Sequence, residues 1–313
     1  MNTVYSEELL TRVALSIATE PAHTIVSRWL ASAPAADILD RLDRRQLPPG
    51  LLSDRITAAL GDRRARDVAV EMIDRTVQAG VRVTTPGDAE WPRHLDDLAR
   101  LPDAEVPWCL WIRGSGNVAT MTEKSVSIVG ARCCTPYGRH IATELAHQLA
   151  ASGWSVVSGG PFGIDVAAHR GALAAETAPT IAVAACGVDQ PYPMSHTEVF
   201  DRITQAGAIV SEHPLGCKPQ RHRFLTRNRL IAALTPATVI VEAGHRSGAA
   251  YTVSQAVGLG RYVAGVPGPV TSGFSAGVHR LLRSQPGMSL VTKAAEVLDD
   301  LASTVHDPCD ATE

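Results

Sequence analysis

The sequence predicts an α/β protein, a doubly wound parallel sheet with helices on both faces, preceded by a small helical region. Three observations carry this. Residues 5–78 read as helical by apolar spacing. The pattern then changes at Val81. From Ser125 onward, short β-branched runs alternate with segments long enough to be helices.

In the helical region, Leu9, Leu10, Val13 and Ala14 recur at helical spacing, as do Ile25, Val26, Trp29 and Leu30. Breaks are expected at Glu20-Pro21 and across Leu47-Pro48-Pro49-Gly50, with one longer helix from Ser53 to Gly80. Residues 1–80 hold eleven acids and ten bases, a balance that argues against this bundle as the main phosphate-binding surface.

Val81–Gly114, rich in Pro and Trp, reads as short strands and turns. Six apolar runs follow: Ser125–Val129, Ser155–Ser158, Thr180–Ala185, Ala208–Ser211, Thr238–Val241 and Tyr262–Val266. Each reads as a strand buried on both faces. Gly138–Ala151 and Ile164–Ala175 are crossover helices. The expected division is a helical domain over 1–78, a Rossmann-like domain over 79–292, and a helix with an acidic, polar tail over 293–313. Ligands on such sheets sit where strand C-termini meet helix N-termini, so the loops after the strands are where chemistry is sought.

Composition narrows the function class. Hydrophobic residues make up 45% of 313 and charged residues 19%, enough for a sizeable core. The formal net charge is −3, so any basic surface must be local. Six cysteines show neither C-x-x-C spacing nor a disulfide framework, and no metal site or cofactor is expected. The N-terminus carries acids where a signal peptide is basic, and no apolar run approaches membrane-span length, which together imply a reduced cytoplasmic protein.

Four loops carry the functional signal. The first strand ends in Gly130, followed by Arg132 and a helix, which places a guanidinium fork beside free backbone N–H groups. The second loop, Ser158-Gly159-Gly160-Pro161-Phe162-Gly163, leads into Asp165 and suits an anion cradle. Phe162 there covers a base or plugs the loop, Asp165 caps the helix or orders the loop, and His169, inside the helix, is a packed or surface histidine or a ligand contact. In the third, Lys218, Arg221, Arg223, Arg227 and Arg229 crowd around Phe224 and Asn228, with no acid from His213 to Val241. Arginine beside an aromatic suits a single nucleic-acid strand, with charge tracking the backbone and the ring stacking a base. This run is expected in a loop of the sheet. Ser247 and Gly248, opening a later helix, form a fourth anion site. Asp189, beside Tyr192-Pro193, is expected to bond its own loop.

Taken together these loops resemble the DprA (Smf) family of DNA-processing proteins. The motifs are Val129–Arg132 with Thr135, Tyr137 and Gly138, then Ser158–Asp165 with His169, then Gly187, Asp189 and Tyr192-Pro193. Ser211–Pro214, Phe224, Arg227–Ala232, Val241–Ala243, Val266–Gly268 and Gly277–Leu282 follow in the same order. The resemblance implies an extended Rossmann fold that binds single-stranded DNA, forms a homodimer and helps load the recombinase RecA in natural transformation. It implies that Arg132, the glycine loop, Arg221 and Phe224 line the strand pocket, and that the N-terminal helices are of sterile-alpha-motif type. The chain departs from the family pattern at Phe162, where many relatives carry Arg or Lys, and at His279, where Asn is common. The sequence given leaves no room for the winged-helix domain that many relatives append.

Two other readings compete. One is a phosphoribohydrolase-like enzyme on a related fold, for which Glu242, at a strand end, is the only carboxylate in place. The other is a sensor that binds a small nucleotide and signals to partners.

Overall fold

The computed structural model describes residues 5–160 and 162–305. The polar end of the expected tail, with Cys309, lies outside them.

Five helices open the chain: α1 (Glu7–Ala18), α2 (Thr24–Ser32), α3 (Ala35–Asp43), α4 (Ser53–Leu60) and α5 (Ala65–Gln78). Ser6 caps α1 by accepting from the Leu9 N–H, and Glu7 and Glu8 sit in the first turn, where the helix dipole favours acids. The single helix expected from Ser53 to Gly80 is two. Gly61, at φ 58° and ψ −140°, ends α4, and Arg45 donates to the Gly61 and Arg63 carbonyls. The Asp43 carboxylate accepts from the Ala65 N–H at 2.5 Å and so starts α5. Ile56, Leu60, Ala69 and Ile73 all reach the same core, which is why the apolar pattern ran through the break.

The sheet then builds in the order β1 (Arg82–Thr84), β2 (Leu110–Arg113), α6 (Val118–Glu123), β3 (Ser125–Val129), α7 (Pro136–Ala151), β4 (Ser155–Ser158) and α8 (Ile164–Ala175). It continues with β5 (Thr180–Val183), α9 (Thr197–Ala206), β6 (Ala208–Ser211), α10 (Arg221–Ala233) and β7 (Ala237–Ile240). It closes with α11 (Gly248–Gly258), β8 (Tyr262–Gly265), α12 (Ala276–Ser284), β9 (Ser289–Leu290) and α13 (Ala294–Val305). The strands form one sheet of order β1-β2-β6-β5-β4-β3-β7-β8-β9. It is not wholly parallel: β2 runs against both its neighbours, β1 and β6. From β3 the chain winds outward through β4, β5 and β6, then crosses back to β7 on the other side. That reversal opens a crevice at the carboxyl ends of β3 and β7.

Helices cover both faces of the sheet, with one core beneath α10 and α11 and another beneath α7 and α8. The N-terminal helices do not close a core of their own. Leu10, Leu15, Ile38 and Ile73 pack in one cluster with Trp108 and Trp111 and with Ala182, Ile209 and Leu215. The chain boundary near residue 78 is therefore not a packing boundary. An ion pair adds to this junction. Arg223 of α10 donates to Glu20, between α1 and α2, at 2.6 and 3.0 Å, and Arg55 reaches the same carboxylate. Burial pushes the Glu20 carboxyl up, but the Arg223 and Arg55 guanidiniums outweigh it and bring its pKa down to about 2. Among the described residues, no helix is long and apolar enough to cross a membrane.

Candidate nucleic-acid interface

At the end of β3, Gly130 packs so closely on α8 that a Cβ there would lie 2.5 Å from Ile164. The Ala131 N–H donates to the Glu242 carbonyl at 2.7 Å, and the Ala131 carbonyl accepts from the Ile164 N–H at 3.2 Å. With Ala131 held on both sides, Arg132 stands exposed at the crevice. The next helix, α7, is capped by Thr135, whose Oγ1 accepts from the Gly138 N–H. The Thr135 N–H and hydroxyl in turn donate to the Glu242 carboxylate at 2.9 and 2.5 Å. Glu242 is buried. The one carboxylate in place for a phosphoribohydrolase-like reaction is thus occupied in anchoring a helix start.

The glycine loop after β4 is set by packing. The Ser158 hydroxyl donates to the Ile128 carbonyl at 2.6 Å. A Cβ at Gly159 would meet the Arg227 guanidinium at 2.4 Å, and one at Gly163, where φ is 65°, would meet the Ala131 carbonyl at 2.1 Å. Gly160 is also left-handed, at φ 86°. Asp165 accepts from the N–H groups of Gly159 and Gly130 and so ties the first two loops together. Burial raises its pKa to about 6, against the pull of Arg227 and Arg132. Of the alternatives open for His169, the structure shows the packed one: it is fully buried, with Nδ1 2.8 Å from the Thr180 hydroxyl. Burial brings its pKa down to about 3.

The basic run is a helix, α10, rather than the expected loop, and its arginines divide by face. Lys218 and Arg221 are exposed ahead of and at the start of the helix. Arg223, Arg227 and Arg229 point inward. Arg227 donates to the carbonyls of Gly159 and Val183, and burial lowers its pKa to about 10. Arg229 donates to Glu212 at 2.5 and 2.7 Å, with both side chains buried, and to the Glu105 and Thr226 carbonyls. Two of the arginines expected to meet phosphate, Arg227 and Arg229, are therefore engaged inside the protein. A helix places positions 223 and 227 one turn apart on its inner face, which a loop would not. Asn228 also ties elements together, donating to the Gly248 carbonyl at 3.2 Å.

Phe224 is half-buried, and the Arg132 guanidinium carbon lies 4.5 Å from its ring centroid. Tyr192 tilts against the same ring at 5.4 Å, and Phe162 meets Tyr192 and His196 edge-on at 6.3 and 5.5 Å. Phe162 therefore extends a row of rings above the glycine loop. Asp189 bonds its own loop as expected, accepting from the Gln190 Nε2 at 3.0 Å, and also reaches another loop, accepting from the Gly216 N–H at 2.9 Å. His279 accepts from the Gly268 N–H at 3.4 Å.

Six of the predicted residues, Gly130, Arg132, Arg221, Arg229, Ser247 and Gly248, line one cleft of about 1320 Å³ at the reversal of the sheet. Arg229 lies buried in its wall. Gly159 and Phe224 line a smaller cavity of about 210 Å³ beside it, together with Tyr192. No three His, Cys, Asp or Glu side chains gather as a metal site requires among the described residues.

A family model described as DNA recombination-mediator protein A matches residues 82–302. The chain belongs to that family. A DprA-type protein of Mycobacterium tuberculosis is 42% identical over 292 residues, 91% of this chain and 73% of that one. The DNA processing protein DprA of Streptococcus pneumoniae is 36% identical over 64% of this chain and 69% of its own length. Among solved structures, DprA of Streptococcus pneumoniae covers 95% of this chain and 99% of its own at 26% identity, with a TM-score of 0.68. DNA processing protein A of Helicobacter pylori, a structure concerned with its single-stranded DNA binding mode, covers 71% of this chain and 97% of its own. Its identity is 27% and its TM-score 0.61.

Within this DprA-type fold, the cleft residues that sequence reasoning left unassigned include Arg246, Tyr251 and Phe274. Arg246 and Tyr251 flank Ser247-Gly248 in sequence, which was the available signal. Phe274 arrives from the loop before α12, and nothing local marks it.

Proposed function

We propose that this protein binds single-stranded DNA in the crevice at the carboxyl ends of β3 and β7, and that it acts by binding rather than by catalysis. The observation that carries the reading is the Arg132–Phe224 pair, in which Arg132 lines the cleft and Phe224 the smaller cavity beside it. It puts an always-charged fork and a flat ring within one nucleotide's reach, the combination that holds a strand without reading its sequence. Arg221, Ser247 and Gly248 extend the phosphate track along the same cleft. The DNA-processing relatives, and the strand binding of the Helicobacter protein, support the same reading. A homodimer, a cytoplasmic setting and RecA as the partner that receives the coated strand complete the proposal, on the strength of the family resemblance.

The test is a titration with single- and double-stranded DNA over a range of lengths and salt concentrations. Preference for the single strand, affinity growing with length, and a steep fall with salt are expected. Affinity indifferent to length would favour a small-nucleotide sensor and overturn the proposal.

A further inference from the structure

The glycines around the cleft are of two kinds. Those of the first two loops are required by the fold, since Gly130, Gly159 and Gly163 have no room for a Cβ. Those of the opposite wall are not. A Cβ at Gly273 would meet nothing within 4 Å, at Gly244 only the Gly273 carbonyl at 3.8 Å, and at Gly248 only ordinary contacts at 3.8 Å. None of the three has a positive φ. Neither packing nor backbone conformation calls for glycine there, and the remaining physical use of a missing side chain is close approach by something outside the chain. All three face the same large cleft.

The wall they form has the chemistry of a strand platform. Tyr251 is 38% exposed and Phe274 40%, and both line the cleft with exposed Arg246. In a chain with only 4% aromatic residues, two uncovered rings lining one cleft call for a ligand face. The wall is continuous with Arg132 and Arg221 through the cleft itself.

We propose that Arg246, Tyr251 and Phe274 form a second platform for the same single strand, taking nucleotides that run past the Arg132–Phe224 pair. The inference rests on the single-strand reading above. Rings stack successive bases, Arg246 meets the phosphate between them, and Gly248 and Gly273 let the backbone lie against the wall. The strand then crosses the reversal point of the sheet rather than ending in it.

The experiment compares oligothymidylates of increasing length on the full chain, with light scattering to record its oligomeric state. Tyr251→Ala and Phe274→Ala are each expected to leave the shortest binding oligonucleotides unaffected and to weaken longer ones about tenfold. Gly244→Ala and Gly273→Ala are expected to hold or raise Tm, because alanine fits both sites, while also weakening the longer oligonucleotides. Oligonucleotides carrying 5-iodouracil are expected to photo-crosslink to Tyr251 only above the threshold length. If wild-type protein binds no single strand at any length, the proposed function itself fails. If it binds and all four variants keep the full gain with length, the second platform is overturned while the first stands. A length gain that comes from one strand bridging two copies would likewise survive the substitutions, and so would also overturn it.

Discussion

The Arg132 guanidinium carbon stands 4.5 Å from the centroid of the Phe224 ring, joining the loop after β3 to the first turns of α10. The two residues are far apart in sequence, and the fold brings them together. The ring holds the guanidinium by its face, leaving the N–H edge free for phosphate.

Arg132→Ala and Arg221→Ala are each expected to weaken single-strand binding across sequences and to flatten the log–log salt dependence by roughly 0.7 per lost phosphate contact. Affinities at four salt concentrations check this. Unchanged affinity and slope in both folded variants would remove the two residues from the site.

Phe224→Ala is expected to cost about 1–3 kcal/mol of binding, as loss of one stacking surface does. The ring is half-buried against Tyr192, so Tm and affinity must come from the same preparation. A variant that melts lower yet binds normally when folded would make Phe224 a packing residue.

Arg229→Ala is expected to behave in the opposite way. Removing one member of the buried Arg229–Glu212 pair leaves an uncompensated charge, a loss of about 3–5 kcal/mol of stability. Urea unfolding should show this loss, and at temperatures where the variant remains folded its salt slope should match that of the wild type.

Two carboxyl groups predict opposite pH dependences. The folded-state pKa of Glu20 lies below its ordinary value, at about 2, so its contribution is present above pH ~4.5 and lost as pH falls toward 2. Glu20→Gln should therefore destabilise at neutral pH, by less and less as acid is added. Asp165 is raised to about 6, so its contribution is present below its ordinary value and lost as pH rises through 6. Protonating it also removes a negative charge beside Arg132, so strand affinity should rise as pH falls from 7 toward 5. Asp165→Asn should abolish that rise. Urea midpoints and affinities measured across pH 3–8 check both.

Much of this molecule was legible in the sequence because its signals are local. Ser125–Val129, Ser155–Ser158 and Ala208–Ser211 are strands at the expected residues, since short β-branched runs between helices leave few alternatives. Arg132 and Gly130 were findable because a strand end and a helix start bracket them. The buried arginines were not. Arg229 finds its acid in Glu212, at the end of another strand, and Arg223 finds Glu20, 203 residues away. A run of bases reads alike whether its partners are phosphates or carboxylates brought in by the fold. The antiparallel β2 also escaped, because direction is a property of connections and leaves no mark on a four-residue strand.

The shared core beneath the N-terminal helices bears on how the chain is made. The helices α1–α5 leave the ribosome before the sheet, but the residues that cover them include Trp108, Trp111, Ile209 and Leu215. At ordinary translation rates the apolar side of the bundle waits on the order of ten seconds for strand β6 to emerge. Through that interval Leu10, Leu15 and Ile38 lack part of their cover, so the nascent chain is most exposed to misassembly just before its sheet can close.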